Sequence, residues 1–173
     1  MHSSSSFSPV SSQLPKKCII VGNRGSGKTS FMQAFSTREY GVKEAWESYV
    51  PTHGANVGTF TEGPTKFNLW DISGLCDFRD WEFKGYMLGV THAIIIHDGT
   101  KYSHGKNWSI RRWRAFIRKS LEEKGVNSKI PIVVVKMKQD DAVSGEVSQD
   151  GVISVSAKNR INLALPFRIL SNM

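Results

Sequence analysis

Apolar and polar positions switch between two periods along this chain. Residues 18–21 form an apolar run that breaks at Gly22, and apolar positions return with helical spacing at Phe31, Met32 and Phe35. That pattern predicts a buried strand, a glycine turn and an amphipathic helix. Residues 36–51 are polar and irregular. Ala55–Glu62 and Thr65–Ile72 are extended runs joined at Gly63-Pro64, a turn signal, and they predict a hairpin. Residues 77–86 are aromatic and charged, a mobile helix or loop, and residues 92–97 predict a short buried strand. Ser109 caps a helix in which Ile110, Trp113, Phe116, Ile117 and Leu121 recur at helical spacing until Gly125 stops it. Its outer face carries Arg111, Arg112, Arg114, Arg118 and Lys119, which read as a solvated surface or as a dock for an acidic partner.

Towards the carboxyl end, residues 131–135 and 152–156 predict two more strands, and a closing helix spans about 162–170. The connection 141–151 is too short for a complete crossover helix. Strands alternating with helices after one hairpin give an α/β fold of three layers. It has a mostly parallel six-stranded sheet with one antiparallel edge strand and helices on both faces. Residues 1–15 are Ser-rich and predict a disordered tail, and residues 16–173 make one domain.

The glycine turn carries chemistry. Gly22, Gly27, Lys28 and Thr29 fit G-x-x-x-x-G-K-[ST], and a strand precedes and a helix follows the motif as that motif requires. Backbone N–H groups of Asn23, Arg24, Gly25, Ser26, Gly27, Lys28, Thr29 and Ser30 would wrap the phosphates of a nucleotide. Lys28 would reach the outer phosphates and the Thr29 hydroxyl would bind Mg²⁺. Asp71 ends a strand and is followed three residues later by Gly74. In an open α/β sheet this is where metal and phosphate ligands sit, Asp71 for Mg²⁺ and the Gly74 amide for a terminal phosphate. The histidines at 92 and 97 lack partners at metal-ligand spacing and read as strand-end residues.

Composition narrows the classes. The 173 residues are 39% apolar with a net charge of +8. Charge alone fits nucleic acid, an acidic partner or simple solubility, but no RNA-binding or zinc signature accompanies it, so nucleic acid is not expected. No apolar run approaches the ~18 residues of a membrane span, and neither a secretory signal nor a prenylation cysteine is present. Two cysteines, Cys18 in a strand and Cys76 in a loop, give no disulfide framework. The expectation is a soluble monomer inside the cell, in cytoplasm or nucleus.

With these motifs in hand, the chain resembles the Ras superfamily of small GTPases, and within it the Ran family. The likeness runs from Lys17 to Leu170 and rests on the phosphate loop, Tyr49-Val50-Pro51-Thr52-His53-Gly54, Lys66-Phe67-Asn68-Leu69-Trp70-Asp71, Ile130-Pro131-Ile132-Val133 and Ser156-Ala157-Lys158-Asn159-Arg160-Ile161-Asn162. The last of these, continuing into Pro166-Phe167, is what points to Ran. The resemblance implies a switch that binds GTP or GDP with Mg²⁺, with two loops ordered by the γ-phosphate, and effector or transport-receptor proteins as partners. It makes Thr52 the switch threonine on Mg²⁺ and γ-phosphate. Asp140 would read guanine, Lys138 would lie along the base, and the Ala157 amide, in the loop Ser156-Ala157-Lys158, would donate to the guanine carbonyl.

Three positions depart from the family pattern. Leu75 stands where a Gln normally orients the attacking water, and Arg24 stands where a small glycine lies beside the γ-phosphate, so the resemblance implies slow hydrolysis. Met137 replaces the Asn of the base-binding Asn-Lys-x-Asp, a loss worth ~1–3 kcal/mol of nucleotide affinity. The long carboxyl-terminal switch helix and acidic tail of Ran are absent from this sequence. A pseudo-GTPase scaffold with little nucleotide is the alternative reading, and an adenine-nucleotide enzyme on the same loop a third.

Overall fold

The computed structural model describes residues 14–36, 53–74, 81–100, 108–140, 142 and 144–173. Six strands form one sheet: β1 (Lys16–Gly22), β2 (Ala55–Glu62), β3 (Thr65–Ile72), β4 (His92–Asp98), β5 (Ile132–Met137) and β6 (Val152–Ser154), in the spatial order β2-β3-β1-β4-β5-β6. β2 runs antiparallel to β3, and every other neighbouring pair is parallel. The helices are α1 (Lys28–Ser36), α2 (Trp81–Tyr86), α3 (Ile110–Glu122) and α4 (Leu165–Ser171).

Strand periodicity makes the layers. In β1, Cys18 and Ile20 face one side with Phe31, Phe67, Leu69, Ile94 and Phe167, under α1 and α4. Ile19 and Val21 face the other with Ile95, Phe83, Trp113, Ile117 and Leu121, under α2 and α3. Side chains that alternate across a pleated sheet need cover on both faces, and each face here has its own core. The expected three-layer α/β architecture with one antiparallel edge strand is the one observed.

Several boundaries differ from the sequence reading. β5 continues two residues beyond Val135, because Lys136 and Met137 keep their backbone pairing with His97 and Asp98 of β4. β6 ends at Ser154, and Ser156 makes an isolated bridge to Ile161 instead. The closing helix starts at Leu165, not at 162, because Asn162 sits at φ 58° with its side chain bonded to the Gly145 N–H and the Ser154 carbonyl. Pro166 then opens the helix, where its missing N–H costs nothing. Over 77–86 the structure gives the short helix α2, with residues 77–80 outside the described set. The described residues of 142–151 hold turns and no helix, as the short connection requires.

The consequence for function is positional. β1, β3, β4 and β5 run parallel, so Gly22, Ile72, Asp98 and Met137 all end at one edge of the sheet, and the loops that leave them meet there.

Candidate nucleotide site

The loop between β1 and α1 is built by close approach. A side chain at Gly22 would run into the Ile96 carbonyl of β4, so only glycine lets the loop leave the sheet here. The Ser26 N–H closes a turn on the Asn23 carbonyl at 3.1 Å, and the Phe31 N–H reaches the Gly27 carbonyl at 2.8 Å, starting α1. The first amides of α1 have no carbonyl one turn back, which suits an anion. Lys28 is only 6% exposed, and its ammonium donates to the Gly22 and Asn23 carbonyls, both at 2.9 Å. The Ser26 hydroxyl is buried without a hydrogen-bond partner among the described residues. Ser30 is half-buried in α1, and Arg24 is exposed at the loop's tip.

Asp71 reaches the same place from β3. Its Oδ2 accepts the Thr29 hydroxyl at 2.7 Å, while its Oδ1 is buried with no hydrogen-bond partner among the described residues. Burial pushes its carboxyl above the usual range, against the Thr29 hydroxyl, the Lys28 charge and the Asn56 side chain opposite it on β2, which hold it down. A wholly buried carboxylate beside a threonine hydroxyl, with one oxygen lacking a close donor among the described residues, fits a divalent cation, which would supply the counter-charge that excluded water no longer offers. The described residues contain no cluster of three His, Cys, Asp or Glu around a metal site, and a site of one carboxylate and hydroxyls needs none. Just beyond, Gly74 lies hard against the backbone of Arg24 and the ammonium of Lys28.

The third loop leaves β5. Lys138 adopts φ 64°, and its ammonium donates to Asp98 Oδ2 at 2.7 Å and to the Gly25 carbonyl at 3.3 Å. It thereby joins this loop to the phosphate loop. Asp98 is further held by the Thr100 N–H and hydroxyl on Oδ1. Burial raises its carboxyl, the hydrogen bonds from Lys138 and Thr100 lower it, and the net position is below the ordinary value. Asp140 is exposed. The buried Ser156 hydroxyl donates to its Oδ1 at 2.6 Å, the Asn159 amide donates to its carbonyl at 3.0 Å, and Lys158 stands 4.0 Å from Oδ2. Ala157 is 5% exposed beside them.

Met137 and Asn23 occupy positions that the sequence did not convey. Met137 is 2% exposed and packs against Gly27, so it supports the phosphate loop from beneath. The Asn23 side chain turns away from the loop and grips the backbone of Trp108, 85 residues along the chain. Asp98 and Asn159 were missed. Asp98 ends a parallel strand on the ligand edge, a signal that reading the strand only to His97 passed over. Thr52 and Leu75 lie outside the described residues.

A glycine loop opening a helix, a carboxylate at the end of the next strand and an Asp-bearing loop two strands away define a phosphate-loop nucleotide-binding domain of the α/β class. A family model described as "Ras of Complex, Roc, domain of DAPkinase" matches residues 17–140, from β1 through the phosphate loop to Asp140. The chain belongs to this Roc family, and so to the Ras superfamily of small GTPases, whose members bind guanine nucleotide as switches. The match does not extend to the finer likeness to Ran. Pro166 and Phe167, which carried part of that likeness, are buried: Phe167 stacks among Phe31, Phe60 and Phe67. They hold the core.

Proposed function

We propose that the protein is a slowly hydrolysing guanine-nucleotide switch, in which Thr29 and Asp71, with Thr52, hold Mg²⁺ and the loops carrying Thr52 and Leu75 engage protein partners. The observation that carries this is the bridge from Lys138 to the Gly25 carbonyl at 3.3 Å, which sets the Asp140 loop against the phosphate loop as one nucleotide demands. Lys28 and the loop amides would bind the phosphates, and the bound cation would offset their charge. The Asp140 carboxylate would accept from the guanine N1–H and exocyclic amine, a pattern adenine does not offer. With Leu75 unable to hydrogen-bond and Arg24 at the loop's tip, the attacking water would lack its usual orienting amide. Ran-type transport receptors are one partner class this reading admits, in the cytoplasm or nucleus.

Identification and quantification of nucleotide released from the denatured, freshly purified protein tests the reading. Near-stoichiometric GTP supports a competent site with slow hydrolysis, and GDP supports binding with turnover. An empty protein that also fails to take up GTP with Mg²⁺ refutes it. That outcome favours the interaction scaffold, which the apolar Met137 at the base-binding motif supports.

A further inference from the structure

The Asn23 side chain commits a polar group of the phosphate loop to a distant element. Its Nδ2 donates to the Trp108 carbonyl at 2.9 Å, and its Oδ1 accepts the Trp108 N–H at 2.9 Å and the Trp113 indole N–H at 3.4 Å. An amide that both donates to and accepts from one residue's backbone fixes position and orientation together. Trp108 immediately precedes Ser109, whose hydroxyl caps α3 by accepting the Arg112 N–H. The indole of Trp108 lies 5.0 Å from that of Trp113 and 5.4 Å from the Phe116 ring, with the Arg112 guanidinium 4.2 Å above it. The start of α3 is thus pinned to the phosphate loop through one side chain.

The other side of Asn23 faces the nucleotide chemistry. Its backbone carbonyl accepts the Lys28 ammonium at 2.9 Å. A nucleotide's phosphates would compete with the Gly22 and Asn23 carbonyls for that ammonium, so nucleotide binding would give the loop a second arrangement of contacts, as a coupled element requires. We propose that Asn23 is a positioning residue that holds the phosphate loop in its anion-receiving shape against α3 and transmits the state of the loop to Trp108 and Trp113. This rests on the nucleotide-switch reading and adds to it a second nucleotide-sensitive surface, at the start of α3.

The experiment uses the full chain with Trp46, Trp70 and Trp81 changed to Phe, leaving Trp108 and Trp113 as reporters, with and without Asn23→Ala. Binding of fluorescently labelled GDP and GTP with Mg²⁺ gives affinities. Tryptophan emission, read separately with unlabelled nucleotide at saturation, reports α3. The parent is expected to bind with a change in emission spectrum, and Asn23→Ala to bind about tenfold more weakly with that change lost at saturation. Far-ultraviolet circular dichroism and the unfolding midpoint establish that the variant is folded. If it is not, Trp113→Phe, which removes the indole donor to Asn23 while keeping an aromatic ring in the core, is expected to leave nucleotide affinity within threefold and shift the emission response of Trp108, and an unshifted response overturns the proposal.

Failure of the unmodified protein to bind either nucleotide would sink the switch reading itself. Binding by the parent without an emission change, or an emission change that persists at saturation in Asn23→Ala, overturns the role of Asn23 while leaving the switch reading standing.

Discussion

Replacing Gly74 with alanine tests whether the segment after β3 and the phosphate loop act as one unit. The added Cβ would lie 2.7 Å from the Arg24 nitrogen, 2.9 Å from its Cα and 2.9 Å from the Lys28 ammonium. The first of these is about 0.7 Å inside ordinary van der Waals contact. Two of the three atoms are backbone, held by the Ser26 to Asn23 turn and by the Asn23 grip on Trp108, and Lys28 is itself bonded to two carbonyls. The loop therefore cannot give way at low cost, and residues 73–74 must withdraw. Overpacking of this kind costs about 1–3 kcal/mol. On the proposed roles the cost falls on the terminal phosphate, which only GTP has and which the Gly74 amide would bind. The expected result is a roughly ten- to hundredfold loss of affinity for a non-hydrolysable GTP analogue, with GDP affinity within about threefold. Fluorescence titrations with labelled GDP and the analogue measure both. Equal losses for the two nucleotides, or none, would refute the argument.

His92 gives a pH prediction. Burial, aided by the Lys16 charge and opposed by a bond to the Leu170 carbonyl, lowers its imidazole to about 4 from 6.5. The folded state thus binds the proton less well than the unfolded state: the contribution is whole above pH 6.5 and declines as pH falls towards 4, about 2 kcal/mol being gone at pH 5. Urea unfolding at pH 7, 6 and 5 should show that slope reduced in His92→Gln, and parallel slopes would dismiss it. Met137→Asn places an amide where the side chain is 2% exposed, so the melting point is expected to drop by several degrees while nucleotide affinity rises about ten- to a hundredfold. Calorimetry and nucleotide titration separate the two, and unchanged affinity would remove position 137 from base binding. The double change Arg24→Gly with Leu75→Gln is expected to raise single-turnover GTP hydrolysis at least tenfold, and no gain would clear those positions of blame.

What the sequence disclosed depended on the range of the interaction. The bounds of β2 and β3 were legible to the residue because extended runs flank Gly63-Pro64, both local features. The end of β5 was not, since Lys136 breaks the apolar run and only pairing with His97 and Ser154, on strands either side, carries the strand onward. The start of α4 depended on Asn162 bonding across to Gly145 and Ser154, which no local propensity encodes. The site divides in the same way. The phosphate loop and Asp71 were legible from spacing, whereas the grip of the Asn23 side chain on Trp108 was not, because that partner lies 85 residues away.

Met137 shows why a departure from a motif need not empty a site. The residue at that position has two tasks: it supports the underside of the phosphate loop, and in the family pattern it offers a polar group to the base. Packing against Gly27 from a side chain 2% exposed serves the first without any polar atom, because support beneath a backbone needs volume and not hydrogen bonds. Lys138, tied to Asp98 at 2.7 Å and to Gly25 at 3.3 Å, fastens the same two loops by hydrogen bonds. Asp140 is oriented by Ser156, independently of residue 137. The substitution thus subtracts one contact to the base and leaves the arrangement of the loops intact, so the expected deficit is in affinity and not in the preference for guanine.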